Sequence, residues 1–189
     1  MENFKQRHPD LIKEIRRLLF FCLFSFFSSI VQYSVFSFLP HILGMKYAAI
    51  PFLWPEKTIT LFGYTFTWSM IGFDVLYDSA GSVMIGGGLG YFISYMAGTL
   101  AAQLFNFPFQ RNITFKSKGN VYYQLMWYLI AWLIISFLSN GFNNLWMPVV
   151  ARLVSPYIYN IIVTAIAGTF AMIVYYFVYK IIFPEGKKN

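Results

Sequence analysis

The chain has 189 residues, of which 58% are hydrophobic, 22% aromatic and only 11% charged, with a formal net charge of +7. That composition exceeds what a soluble domain carries and places the chain among membrane proteins, which argues against a soluble enzyme. The positive charge is therefore read by its position along the chain, as topology rather than as a sign of nucleic acid.

The N-terminal stretch MENFKQRHPDLIKEIRR mixes acids with bases, and no small-residue cleavage site follows the first apolar run. The first hydrophobic segment is therefore expected to stay in the mature protein. Cys22 is a lone cysteine inside that run, so neither a disulfide framework nor a thiolate metal site can be built.

A bilayer core of roughly 30 Å needs about 20 apolar helical residues. Four windows meet that length, at about 18–39, 83–105, 121–140 and 157–180. The expected fold class is an all-α membrane protein whose four transmembrane helices form two parallel helical hairpins. A cytoplasmic segment, 1–17, precedes the first hairpin, 18–120, which contains an external insertion, 40–82, and a cytoplasmic basic loop, 106–120. The second hairpin and a cytoplasmic tail occupy 121–189. Eleven of the fourteen Lys and Arg then fall on one side, so both termini are expected in the cytoplasm.

The segment 47–80 is apolar enough to suggest a fifth span, but a fifth helix would remove that charge bias. Between Thr58 and Ser69, Thr58, Thr60, Thr65, Thr67 and Ser69 alternate with Ile59, Leu61, Tyr64, Phe66 and Trp68. This period of two, with Gly63 at its centre, predicts a β-hairpin whose aromatic face lies on the outer leaflet or caps the helices.

In the second span Gly90, Ser94, Gly98 and Ala102 recur every four residues, extended by Gly86. They form a smooth face for packing against another span or another copy of the chain. The GGGLG at 86–90 lacks a preceding strand and is not read as a phosphate loop. AGTLAAQLFNFPF from Ala97 matches AGTFAMIVYYFVY from Ala167 without a gap, sharing Ala97/Ala167, Gly98/Gly168, Thr99/Thr169, Ala101/Ala171 and Phe107/Phe177. The readings are an internal repeat or chance similarity between apolar helices.

Thr99, Gln103, Asn106 and Gln110 stand at i, i+4, i+7 and i+11, one polar stripe running into Arg111. Pro108 cannot bond the carbonyl of Leu104, so a kink or unwinding is expected there. On the functional reading Arg111, helped by Lys116 and by Arg16 or Arg17, grips a lipid phosphate while Asn106 and Gln110 bond phosphate or sugar oxygens. On the competing reading the bases fix topology, and Gln103 and Asn106 join helices. Ser25, Ser29 and Gln32 share a face of the first span, and Asn160, Thr164 and Gly168 one of the fourth. Together they line a narrow hydrophilic seam or serve as packing residues. Tyr122, Tyr123, Trp127, Tyr157, Tyr159, Tyr175, Tyr176 and Tyr179 fit an aromatic belt. Asp74 and Asp78 read as solvated loop charges, and His8 and His41 stand on opposite sides of the membrane, so no metal or acid–base site is expected.

These features resemble the GtrA-like family of small four-helix bacterial membrane proteins. The resemblance covers most of the chain and rests on Asn106, Phe107, Arg111, Ile113, Thr114 and Phe115 after the second span, with Arg16 and Arg17 entering the first. The chain departs from the family pattern at Tyr176 and Lys180 of the second copy and in its longer insertion. The resemblance implies a non-enzymatic, cofactor-free, multi-pass protein of the cytoplasmic membrane. Such a protein flips a polyprenyl-phosphate-linked monosaccharide for cell-surface polysaccharide or teichoic acid glycosylation, handing it to glycosyltransferases of the same pathway. The alternative is a non-catalytic subunit that anchors or stabilises a polyprenyl-phosphate glycosyltransferase. The expected partners are the lipid-linked sugar, membrane lipid and, through the small-residue face, further copies of the chain. The expected binding residues are Arg111, Asn106, Gln110, Gln103, Lys116, Arg17 and Arg16.

Overall fold

The computed structural model describes residues 8–75, 81–83, 85, 87–154 and 156–184, without the side chains of residues 36, 148, 151, 152, 156–161, 163–165 and 167. The expectations for Asp78, Gly86 and the side chains of Tyr157, Tyr159, Asn160 and Thr164 fall outside the described residues.

Helix α1 spans Pro9–Leu43. Pro9 occupies its first turn, where a missing N–H costs nothing, and Asp10 faces the positive end of the helix dipole. Gly44, at φ +74°, ends the helix and donates its N–H to the Pro40 carbonyl. A short helix α2, Met45–Ala48, leads into the insertion. Strands β1, Phe52–Trp54, and β4, Ile71–Phe73, pair antiparallel, and between them lie β2, Lys57–Leu61, and β3, Tyr64–Trp68. Strands β2 and β3 also pair antiparallel, with Leu61 opposite Tyr64 and Thr60 opposite Thr65. Phe62 and Gly63 close this pair with positive φ at both residues, as a two-residue I′ turn requires. The threonines face outward, while Ile59, Leu61, Tyr64, Phe66 and Trp68 are half-buried. Trp68 Nε1 donates to the Gly141 carbonyl at 2.8 Å, so this aromatic face is packed on a helix of the same chain.

Helix α3 spans Gly88–Phe109 and continues into a π-helical turn, Gln110–Thr114. Its first amides are satisfied by the insertion: Gly88 N–H donates to the Asp74 carbonyl and Leu89 N–H to that of Ile50. Gly88 has φ +63°, and a Cβ there would lie 2.4 Å from the Ala48 oxygen, so this junction requires glycine. Gly90, Ser94, Gly98 and Ala102 are all buried. A Cβ on Gly98 would stand 3.2 Å from the Gln32 oxygen of α1, and one on Gly90 would stand 3.1 Å from Tyr47 Cβ of α2. The small-residue face is therefore occupied within the chain. It offers no free surface to another copy of the chain.

Pro108 does not break α3. The unwinding follows it as the π turn, in which Phe115 N–H reaches back five residues to the Gln110 carbonyl at 2.9 Å. The second correction concerns helix α4, Val121–Leu153, which runs well past the expected end near 140. Asn140, Gly141, Asn143, Asn144 and Pro148 read as a loop, yet the insertion supplies partners that make a helix there favourable. Asn144 Nδ2 donates to the Ser69 carbonyl, Ser69 Oγ and the Gly72 carbonyl at 3.0 to 3.2 Å. Helix α5, Pro156–Ile182, follows almost directly.

The protein is thus mostly helical. Among the described residues, two helices, Pro9–Leu43 and Val121–Met147, are long and apolar enough to cross a membrane, and Gly168–Ile182 is a shorter apolar stretch. An aromatic cluster of Phe21, Phe107, Phe115, Tyr128, Tyr179 and Phe183 ties α1, α3, α4 and α5 together. Tyr179, read from sequence as part of an aromatic belt, is fully buried in this cluster, whereas Tyr122 and Tyr123 are exposed.

Candidate functional site: a polar seam and a basic pocket

The polar stripe of α3 is intact and directed inward. Gln103 Oε1 accepts from Tyr128 at 2.7 Å and from Tyr179 at 2.5 Å. Thr99 Oγ1 accepts from Trp132 Nε1 at 3.2 Å. Asn106 Oδ1 accepts from Gln110 Nε2, which also reaches the Phe21 carbonyl. Asn106 and Gln110 are buried and joined to each other along one helical segment, and the Gln110 bond to the Phe21 carbonyl ties that segment to α1. Gln110 Oε1 and Thr114 Oγ1 are buried without a hydrogen-bond partner.

Arg111 leaves this stripe. Its Nε donates to Gln124 Oε1 at 2.8 Å, one terminal nitrogen to Asn112 Oδ1 at 2.6 Å and the other to the Gly119 carbonyl at 2.8 Å. Gln124 Nε2 in turn donates to Ser117 Oγ, which donates to the Pro184 carbonyl. Arg111 therefore clasps the turn between α3 and α4 and links it to the end of α5.

The other expected cations do converge, without Arg111. A cavity of about 300 Å³ is lined by Lys13, Arg16 and Arg17 of α1, by Thr114 of the π turn and by Phe115 and Lys116 beyond it. The Arg16 guanidinium lies 5.6 Å from the Phe20 ring centroid, and that of Arg17 lies 5.6 Å from the Phe115 centroid. These contacts are in the range of cation–π attraction and aim the two side chains. Lys116 takes a left-handed φ of +50°, a conformation uncommon for a residue other than glycine. The expected joint grip is thus divided: Arg16, Arg17 and Lys116 share a pocket with Lys13, and Arg111 is engaged elsewhere.

A second cavity, about 460 Å³, lies among α1, α3 and α5. Ser25, Ser28, Ser29, Gln32, Gln103, Asn106, Gly168 and Thr169 line it together with aromatic and sulfur side chains. This gathers the polar face expected of the first span, part of the α3 stripe and Gly168 of the last helix. Ser29, Gly168 and Thr169 are exposed, so the cavity opens at the side of the bundle between α1 and α5. At 100° per residue its α1 residues lie on a different face from those of the basic pocket.

Three groups not expected from sequence complete the arrangement. Glu14 accepts from Arg17 at 2.6 Å, from Lys180 Nζ at 2.5 Å and from the Tyr176 hydroxyl at 2.7 Å. Its carboxyl, which precedes the apolar run of α1, is held below the ordinary carboxylate range, first by the Lys180 hydrogen bond. The i,i+3 spacing of Glu14 and Arg17 is a local signal that could have found the pair. The approach of Tyr176 and Lys180, more than 160 residues away, has no local signal. Gln124 and Tyr128 were likewise missed, because an apolar helix gives no sign of which of its polar groups meets a distant partner.

Among the described residues no group of three or more His, Cys, Asp or Glu could hold a metal ion. The chain matches no family model, no curated protein and no solved structure.

Proposed function

We propose that the chain is a GtrA-like membrane protein that translocates a polyprenyl-phosphate-linked monosaccharide. In this reading α1, α3, α4 and α5 are the four spans, both termini are cytoplasmic, and the β insertion stands on the outer face. The substrate phosphate is caught at the cytoplasmic surface by Lys13, Arg16, Arg17 and Lys116. The sugar passes along the side-opening polar seam while the prenyl chain stays in lipid.

The observation that carries this reading is the seam itself. Hydroxyls and amides from three helices are gathered within an apolar bundle, and here they line one cavity that opens sideways. Its volume falls within the roughly 300–1,000 Å³ of small-molecule sites. A lateral opening suits an amphiphile, whose tail need not leave the bilayer. The basic pocket supports the phosphate end, since charge-assisted hydrogen bonds to phosphate are about twice as strong as neutral ones. The departure from the sequence expectation is that Arg111 holds the turn and the α1 cations take its place at the phosphate.

Translocation of a polyprenyl-phosphate hexose into liposomes containing the purified chain tests the proposal. Arg16→Ala combined with Lys116→Ala is expected to reduce the rate at least tenfold with unchanged thermal stability. A well-folded native chain that moves no lipid would transfer the reading to an accessory subunit of a glycosyltransferase.

A further inference from the structure

Glu14 is surrounded by the groups that a phosphate would need. A guanidinium, an ammonium and a phenolic hydroxyl, from Arg17, Lys180 and Tyr176, all donate to its carboxylate within 2.7 Å. The cluster is open at Glu14 and Lys180, whose side chains are 37% and 40% exposed, and closes inward at Arg17, which is 11% exposed. Arg17 belongs also to the neighbouring basic pocket, which it shares with Lys13, Arg16 and Lys116. A carboxylate and a phosphate ester present similar pairs of anionic oxygens to a guanidinium fork, so one can take the other's place. Exposed apolar side chains stand next along both helices: Leu18, four residues on from Glu14, and Phe177, adjacent to Tyr176. An anion bound here would have its hydrocarbon beside it.

We infer that Glu14 occupies the anion position of a phosphate site formed by Arg17, Lys180 and Tyr176, and that a lipid phosphate displaces it. This inference deepens the translocation reading and rests on it for the nature of the ligand. Glu14 accepts from both cations and joins α1 to α5. An arriving phosphate takes Arg17 and Lys180, and the released carboxylate removes one of the ties between α1 and α5, beside the Phe21–Tyr176 ring contact at the end of the seam. The same acid therefore sets the affinity for the lipid and holds the two helices that border the seam. Tyr176 and Lys180, the departures from the family pattern in the second copy, acquire a common purpose as the donors on α5.

The test is titration of the full-length chain in nanodiscs of zwitterionic lipid with geranyl phosphate, a short prenyl monophosphate, and separately with inorganic phosphate. Glu14→Gln keeps the shape of the side chain but removes the competing charge and one of its two acceptor oxygens. It is expected to tighten geranyl phosphate binding about tenfold, a typical gain from relieving one charged competitor. Adding Lys180→Met is expected to abolish the gain. Unchanged or weaker binding by a folded Glu14→Gln chain would overturn the inference and leave Glu14 as a structural link. Equal affinity for inorganic phosphate would overturn the assignment to a lipid.

Carbodiimide labelling of Glu14 in the native chain gives a second readout that does not depend on the variant folding. Saturating geranyl phosphate should accelerate labelling, and an unchanged rate would contradict displacement. Translocation that persists without either effect would remove the Glu14 role while leaving the translocation reading intact.

Discussion

The stretches beginning at Ala97 and Ala167 share five residues at a constant offset, yet they occupy opposite environments. Gly98 is buried against the backbone of α1, whereas a Cβ on Gly168 would meet nothing within 4 Å. Phe107 is 9% exposed in the aromatic cluster, and Phe177 is 62% exposed. Thr99 accepts a hydrogen bond from Trp132, while Thr169 stands exposed on the rim of the seam. Asn106 is joined to Gln110 inside the bundle, but Tyr176, at the matching position, reaches outward to Glu14. The first stretch is the packed wall of the molecule and the second its open side. Similar apolar sequence therefore does not decide burial, which depends on which neighbour covers the face.

This contrast can be broken at matched positions, beginning with the largest effect. Phe107→Ala should destabilise the chain by about 3–5 kcal/mol, the usual cost of emptying an aromatic core site, while Phe177→Ala stays within about 1 kcal/mol. Thermal unfolding in one detergent compares the two, and equal losses would show that the second copy is as tightly packed as the first. Gln103→Leu should cost about 2–3 kcal/mol, because it leaves the Tyr128 and Tyr179 hydroxyls buried without their shared acceptor. Gly98→Ala should cost about 1–3 kcal/mol by overpacking against Gln32, whereas Gly168→Ala should be neutral or stabilising by roughly 0.5–1 kcal/mol. Arg111→Ala should cost about 1–2 kcal/mol through the turn it clasps, with geranyl phosphate affinity unchanged. A loss of affinity with full stability would return Arg111 to the phosphate.

The parts of the fold written in local pattern could be read from sequence. The alternation between Thr58 and Ser69 falls on the paired strands β2 and β3, and the helical spacing i, i+4, i+7 and i+11 from Thr99 to Gln110 falls on one inward stripe. Arg16, Arg17 and Lys116 were legible as cations that could act together, and the structure adds Lys13. What sequence did not reveal depends on contacts between distant segments. The helix through Asn140–Asn144 is stabilised by Ser69, Gly72 and Trp68 of the insertion, which override the turn-forming character of Asn and Gly. Arg111 is turned aside by Gln124 and the Gly119 carbonyl, partners that exist only once the turn has folded. The small-residue face pointed correctly to close packing, but only the arrangement of α1 against α3 shows that the partner lies within the chain.

The most direct test of the account is to fill the seam without disturbing the core. Thr169→Phe places a ring at its exposed rim, and liposome translocation of a polyprenyl-phosphate hexose can be compared with the native chain at matched protein content. The account predicts robust transfer by the native chain and at least a tenfold loss in the variant, with unchanged thermal unfolding. Equal rates from the two proteins, or no transfer by the folded native chain, would contradict it.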